Sequence, residues 1–232
     1  MELIWDGITE ALRLIFTGNG YVYDVTVTSL IVSLSATAIA VVFGFGVALL
    51  LTFRPPPGRT LAISAFNAGM ALPPVAVGLI VAVMLWRTGP IGELHLLYTR
   101  TAIVIAQSVI AVPVVTALSV AALQGLHPRL RLQIQALGAS SWQTAFFLFR
   151  EARLGLLAAV MAGFGAAISE VGATIMVGGN IKGSTRTLTS ATVLEVQQGD
   201  FETAMAFSLI LLAVIFAVVL SFTIIQQRRP AS

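Results

Sequence analysis

Glu170 is the residue in this sequence best placed to do chemistry, because it is the one carboxylate inside a long apolar stretch, about Leu154–Val177. An ionised acid at the middle of a bilayer costs roughly 3 kcal/mol on insertion scales, so it faces protein or water and marks a functional candidate. Two chemistries suit it. It could carry a proton in an ion-coupled transporter. Alternatively, protonated or hydrogen-bonded to Ser, Thr or backbone, it could organise the glycine-rich run Gly172–Gly179. Ser169 beside it gains no nucleophilic role, since no apolar stretch holds a histidine to activate it. His95 and His127 lie far apart and cysteine is absent, so neither a histidine cluster nor a thiolate set is expected to hold a metal. There is no G-x-x-x-x-G-K-[ST] loop to cradle ATP. No catalytic set is expected, and neither is an enzyme.

The remaining candidates shape or line a path. Pro73-Pro74 interrupts a second apolar stretch, where proline removes helical hydrogen bonds and bends the axis. Such breaks are tolerated where neighbouring helices or a cavity satisfy the freed carbonyls. Thr174 and Asn180 are neutral donors suited to a polar pathway. Gly163, Gly165, Gly172, Gly178 and Gly179 offer close-packing surfaces.

What positions these residues is a set of membrane helices. Of 232 residues, 57% are apolar and 10% charged, against roughly 25% charged in soluble domains. The mean hydropathy is +0.95. Such a chain cannot cover a water-facing surface. Five stretches have the roughly 20 apolar residues that a spanning helix needs. They run from about Val25 to Phe53, Leu61 to Trp86, Thr101 to Leu123, Leu154 to Val177 and Thr203 to Ile225. Their apolar runs are continuous, which favours helices over barrel strands. Tyr23, Trp86, Tyr98 and Trp142 fall near the expected membrane ends. The spacing Ile4, Ile8, Leu12, Ile15, with Trp5 as anchor, predicts an interfacial amphipathic helix over residues 1–20.

Orientation follows from the basic residues. Arg54, Arg59, Arg129, Arg131, Arg150, Arg153, Arg228 and Arg229 fall on one side; Arg13, Arg87, Arg100, Lys182 and Arg186 fall on the other. The richer side is the cytoplasm, which puts the N-terminus outside and the C-terminus inside. The basic balance therefore belongs to membrane loops and not to nucleic-acid binding. The expected fold is an all-α membrane protein of about five transmembrane helices, with residues 1–232 forming one membrane domain embedded in lipid. It has no internal repeat and is too small to enclose a wide solute path alone, so a homodimer is expected of a transporter.

The loop of residues 124–153 is the most informative segment. Pro128 suits the first position of a helix. Leu130, Ile134 and Leu137 form one apolar stripe. Gly138 can close that helix in a left-handed conformation, and Ser140 with Gln143 predicts a capping box before a second helix. Two short helices joined at a glycine make either an ordinary loop or a docking element for a cytoplasmic partner.

Three stretches resemble a known family. Gln135, Ala136, Leu137, Gly138, Ala139 and Ser140 resemble the coupling motif of ABC importer permeases, with Gly138 the strongest match. Leu132, Gln133 and Ile134 stand where the family has Glu-Ala-Ala, and Arg150-Glu151 where many members have Leu-Pro. Leu72-Pro73-Pro74-Val75-Ala76-Val77-Gly78 resembles a segment of molybdate- and tungstate-type permeases. Glu170-Val171-Gly172-Ala173-Thr174-Ile175-Met176-Val177-Gly178-Gly179-Asn180-Ile181 resembles another, continued by Gly183, Thr185, Arg186, Thr187 and Leu188. Order and spacing resemble the tungstate branch across nearly the whole chain.

The resemblance implies the type I permease fold in the cell (inner) membrane. It implies a homodimer served by two ATPase subunits, which hold ATP and Mg, and by an extracytoplasmic oxyanion-binding protein. It implies that Gln135–Ser140 couples to the ATPase and that Pro73, Pro74, Gly78, Glu170, Thr174 and Asn180 belong to the pathway or gate. A carboxylate repels an oxyanion in a low-dielectric path, so Glu170 is expected to organise structure and not to bind substrate. Lys182 and Arg186, outside the span, could attract an oxyanion, meet an acidic partner, or be solvated loop charges.

Overall fold

The computed structural model describes residues 2–54 and 56–227, with side chains from Trp5 onward. The Ile4 side chain of the expected amphipathic stripe, and Arg228 and Arg229 of the charge count, lie outside what is described. Among the described residues all regular structure is helical. The elements are α1 (Glu2–Phe16), α2 (Gly20–Phe53), α3 (Arg59–Gly69), α4 (Pro74–Leu85), a short 3-10 turn (Gly92–Leu94), α5 (Arg100–Gln124), α6 (Pro128–Ala136), α7 (Ser141–Glu151), α8 (Arg153–Ile168), α9 (Gly172–Gly178), α10 (Leu188–Gln198) and α11 (Phe201–Gln227).

Three helices, α2, α5 and α11, are each long and apolar enough to cross a membrane. Two bent pairs, α3 with α4 and α7 with α8, bring the number to five if each pair is one span. The second and fourth expected spans are broken, between α3 and α4 and between α8 and α9, where the sequence suggested continuous or merely kinked helices. Between α3 and α4 the axis turns by 101°. The cause is local: Pro73, preceding a proline, is held extended, and Pro74 becomes the first residue of a new helix. In the fourth stretch, α8 ends at Ile168 and α9 begins only at Gly172. At about 1.5 Å per residue, the 16-residue α8 spans only about 24 Å. It is preceded by α7 at a bend of 67°.

The core is built on small residues that let helix axes approach. Ala36, Ala40, Gly44 and Ala48 of α2 are buried at spacing four, forming a ridge against α5. Val115 of α5 fills the gap between α2 and α8. A Cβ built on Gly44 would lie 2.9 Å from Val115 Cγ1, and one on Gly163 would lie 2.5 Å from Val115 Cγ2. Gly69, at the end of α3, packs on Pro113 inside α5, with a built Cβ only 2.7 Å from the ring. Helix α1 lies against α11, where Gly7 meets Met205 and Ala11 is buried. Trp5, Leu12 and Ile15 point outward from it.

Candidate functional site

Two of the singled-out stretches, ninety-odd residues apart in the chain, pack against each other. A Cβ on Gly78 of α4 would lie 2.5 Å from Ala173 Cα in α9, and one on Gly172 would lie 2.6 Å from Val75 Cγ2. The backbone of α4 thus rests directly on that of α9. Both α4 and α9 also pack on α5, where Val77, Val81, Ile103, Ala106, Ala173 and Val177 form one buried cluster. Pro73 and Pro74 stand at the exposed corner of this assembly, followed by exposed Val75, Leu79 and Ile80.

Glu170 sits in the break between α8 and α9 and is buried. Its Oε1 accepts the Ala173 N–H at 2.8 Å, satisfying one of the unpaired donors at the start of α9. Its carbonyl accepts from the Thr189 hydroxyl at 3.1 Å, which ties the break to α10. The carboxylate thus closes a three-residue hydrogen bond over the start of α9. Thr174 is buried one turn into α9, and its hydroxyl receives a long bond, 3.4 Å, from Gln107 Nε2 of α5.

Asn180 follows the C-terminal end of α9 with φ +50°. Its Oδ1 accepts from Arg186 Nε at 3.2 Å and from the Ser190 hydroxyl at 2.9 Å, and its Nδ2 donates to the Ser190 carbonyl. The same guanidinium donates to the Asn180 carbonyl at 3.1 Å and to the Tyr21 hydroxyl at 2.8 Å. Arg186 is therefore a clamp joining α9, α10 and α2, and not a solvated loop charge. Lys182 is exposed, with Nζ 4.9 Å over the Tyr21 ring. On the same side, Arg100 donates to the Ser184 carbonyl at 2.7 Å and lies 3.7 Å from Asp24.

The other site lies at the opposite extreme of exposure. Helices α6 and α7 form a hairpin whose turn is Gly138, at φ +83° with open space around it. Ser140 and Gln143 make the reciprocal capping box: Ser140 Oγ accepts the Gln143 N–H and Gln143 Oε1 accepts the Ser140 N–H. Gln135, Ala136 and Leu137 lead into the turn and are all exposed, Leu137 to 89%. The hairpin gathers Gln135–Ser140 on one projecting tip, well separated in sequence and packing from the α4–α9 contact.

The family model for the binding-protein-dependent transport system inner membrane component matches residues 40–229, from the middle of α2 through the hairpin to α11. The chain belongs to this family. Among its relatives, a probable anion ABC transporter permease protein of Haloferax volcanii is 39% identical over 203 residues, 85% of this chain and 88% of the relative. The tungstate uptake system permease protein TupB of Peptoclostridium acidaminophilum is 35% identical over 94% of this chain and 96% of its own. The molybdenum transport system permease protein ModB of Escherichia coli is 31% identical over 74% and 81%. In fold, the chain is similar to a crystal structure of an amino acid ABC transporter, with TM-score 0.61 at 16% identity, covering 91% of this chain and 94% of that one. It is thus a multi-pass membrane permease subunit and not an enzyme.

Sequence reasoning missed two residues of this permease. Gln107 is 1% exposed inside the α5 span, and its Oε1 has no hydrogen-bond partner among the described residues. The signal was available: a lone amide within an apolar span is costly and has to serve some purpose. Tyr21, the anchor of the Arg186 clamp, carried no such signal, because its partner lies 165 residues away.

Proposed function

We propose that two copies of this chain form the membrane pathway of an ATP-driven importer for tetrahedral oxyanions, with tungstate as the substrate. The observation that carries the reading is the α6–α7 hairpin, an exposed apolar tip on a rigidly capped helical turn. An exposed tip of this kind needs a partner, and a separate ATPase subunit with ATP and Mg fits it, two copies serving two permeases. An extracytoplasmic binding protein delivers the anion, so no high-affinity site within this chain is required. The arginine-rich side, including the hairpin, faces the cytoplasm, with the N-terminus outside and the C-terminus inside. Similarity to TupB over 94% of the chain supports tungstate; similarity to ModB supports molybdate as a second substrate.

In this mechanism ATP binding closes the partner ATPases. Their movement pulls the hairpin formed by Gln135–Ser140 and its flanking helices, and the pathway opens outward. Hydrolysis resets it inward. The 101° corner at Pro73-Pro74 serves as the gate edge, and Gly78 fastens that corner to α9. Glu170 and Asn180 fix the two ends of α9, and Thr174 with Gln107 supplies neutral polarity beside it. Of these groups only Glu170 is acidic, and its Oε1 is turned to the Ala173 N–H.

The test is uptake of tungstate into proteoliposomes holding the permease, its ATPase and its binding protein, measured by elemental mass spectrometry. Uptake should require ATP, and molybdate should compete more weakly than tungstate. Uptake by the permease alone under a proton gradient would instead make Glu170 a proton carrier and sink the proposal. Equal uptake of molybdate would leave an oxyanion importer without the tungstate preference.

A further inference from the structure

A cavity of about 480 Å³ opens between the Phe53 end of α2 and the α6–α7 hairpin. Its apolar wall is one face of α2, made by Gly46, Leu49, Leu50 and Phe53 at helical spacing. Arg54 and Arg131 line it, and no carboxylate among the described residues does. The Arg131 guanidinium lies 6.0 Å over the Phe53 ring, which holds its charge beside the apolar wall. Further along α2 the same helical face continues as Val42 and Phe43, exposed to 71% and 61%. Two guanidiniums with no counter-charge among the described residues lining the cavity, and an apolar stripe running away from them, describe a ligand with an anionic head and a long apolar tail.

We propose that this cavity binds the headgroup phosphate of an anionic phospholipid, with an acyl chain lying along the Val42–Phe53 face of α2. Guanidinium forks match phosphate oxygens in geometry as well as charge, and basic pockets between membrane helices are the usual seat of anionic headgroups. A free inorganic anion would satisfy the arginines but leave the α2 wall uncovered. The lipid bridges α2 to α6 and α7, so it braces the hairpin against the span at its root. This needs only that the chain lies in a bilayer, and it holds whichever solute is carried.

The experiment uses the full chain in mild detergent, with phosphatidylglycerol or phosphatidylcholine added, followed by native mass spectrometry and thermal unfolding. Phosphatidylglycerol should remain bound and raise Tm, and phosphatidylcholine should do neither. The double variant Arg54→Gln/Arg131→Gln should bind phosphatidylglycerol roughly thirtyfold more weakly, at about fivefold per basic residue. The double variant Arg54→Lys/Arg131→Lys should keep most of the binding, which separates loss of charge from loss of fold. Equal retention of the two lipids, or undiminished binding by the glutamine variant, overturns the proposal. Displacement of the lipid by millimolar inorganic phosphate would make the site one for a soluble anion and overturn it too. So would loss of a second copy or of the ATPase from the glutamine variant with lipid binding unchanged, which would make the face a protein contact.

Discussion

The α4–α9 contact and the α6–α7 hairpin both carry family motifs, yet they use glycine in opposite ways. At Gly78 the glycine is needed because nothing larger than hydrogen fits between two backbones, with Ala173 Cα 2.5 Å from where a Cβ would stand. At Gly138 there is open space on every side, and the glycine is needed for its left-handed φ of +83°. The first is a weld between two half-helices, buried at Gly78 and Ala173. The second is a turn that keeps an exposed tip in shape for something else. Substitutions at the weld should therefore act on folding, and substitutions at the tip should act on coupling.

The sharpest break of that contrast is Gly78→Leu. A side chain there must drive α4 and α9 apart, a cost of about 3 kcal/mol or more for overpacking. The variant is expected to lose its monodisperse peak in fluorescence-detected gel filtration, and a normal peak would mean that the contact yields.

Gly138→Trp comes next. The left-handed turn costs a non-glycine residue roughly 1–2 kcal/mol, so the chain should remain folded with a lowered Tm. Capture of the ATPase and ATP-dependent uptake should each fall about tenfold or more. Loss of folding with coupling intact in the surviving fraction would erase the distinction between the two regions.

A pair of changes at Glu170 sharpens the weld. Glu170→Leu leaves the Ala173 N–H unpaired, at about 1–3 kcal/mol, whereas Glu170→Gln keeps an acceptor for it. Uptake by the glutamine variant should stay within about twofold of the unmodified permease, and total loss with intact assembly would show that charge itself is used there.

The smallest effect belongs to Asp200, which precedes α11. It accepts the Thr203 N–H at 3.0 Å and the Thr203 hydroxyl at 2.8 Å, and these bonds hold its carboxyl below the usual aspartate value. A lowered folded-state pKa adds stability above the unfolded value and loses it as pH falls through the folded one. Asp200→Asn should lower Tm at neutral pH by about a degree or two at most. The difference should vanish once both states are protonated at strongly acid pH. A gap that persists in acid would mean that the side chain caps by shape and not by charge.

Much of this was legible in the residues. The long apolar runs mark α2, α5 and α11, because a bilayer filters for length and apolarity and both are local properties. The hairpin was equally readable: Pro128, Gly138 and the Ser140/Gln143 pair act through backbone groups within four residues of themselves. The interfacial stripe of the first helix was read in part. Trp5, Leu12 and Ile15 do point outward, but it is Gly7 and Ala11 that meet α11. Pro73-Pro74 announced a disturbance without its size. A single proline bends an axis, but here the second proline also holds the first, Pro73, in the extended region, and the result is a corner.

By itself the sequence determined that this chain lives in a membrane, where its three long helices lie, and that its exposed loop folds as two capped helices. Each of those follows from hydropathy or from hydrogen bonds closed over a few residues. Only the tertiary structure decided what Gly78, Gln107 and Arg186 touch. It brought Leu72–Gly78 onto Glu170–Ile181, set Gln107 beside Thr174, and joined Arg186 to Tyr21. Those outcomes depend on which helix backbones approach within an atom's width, and close approach is a property of pairs of segments that no single segment records.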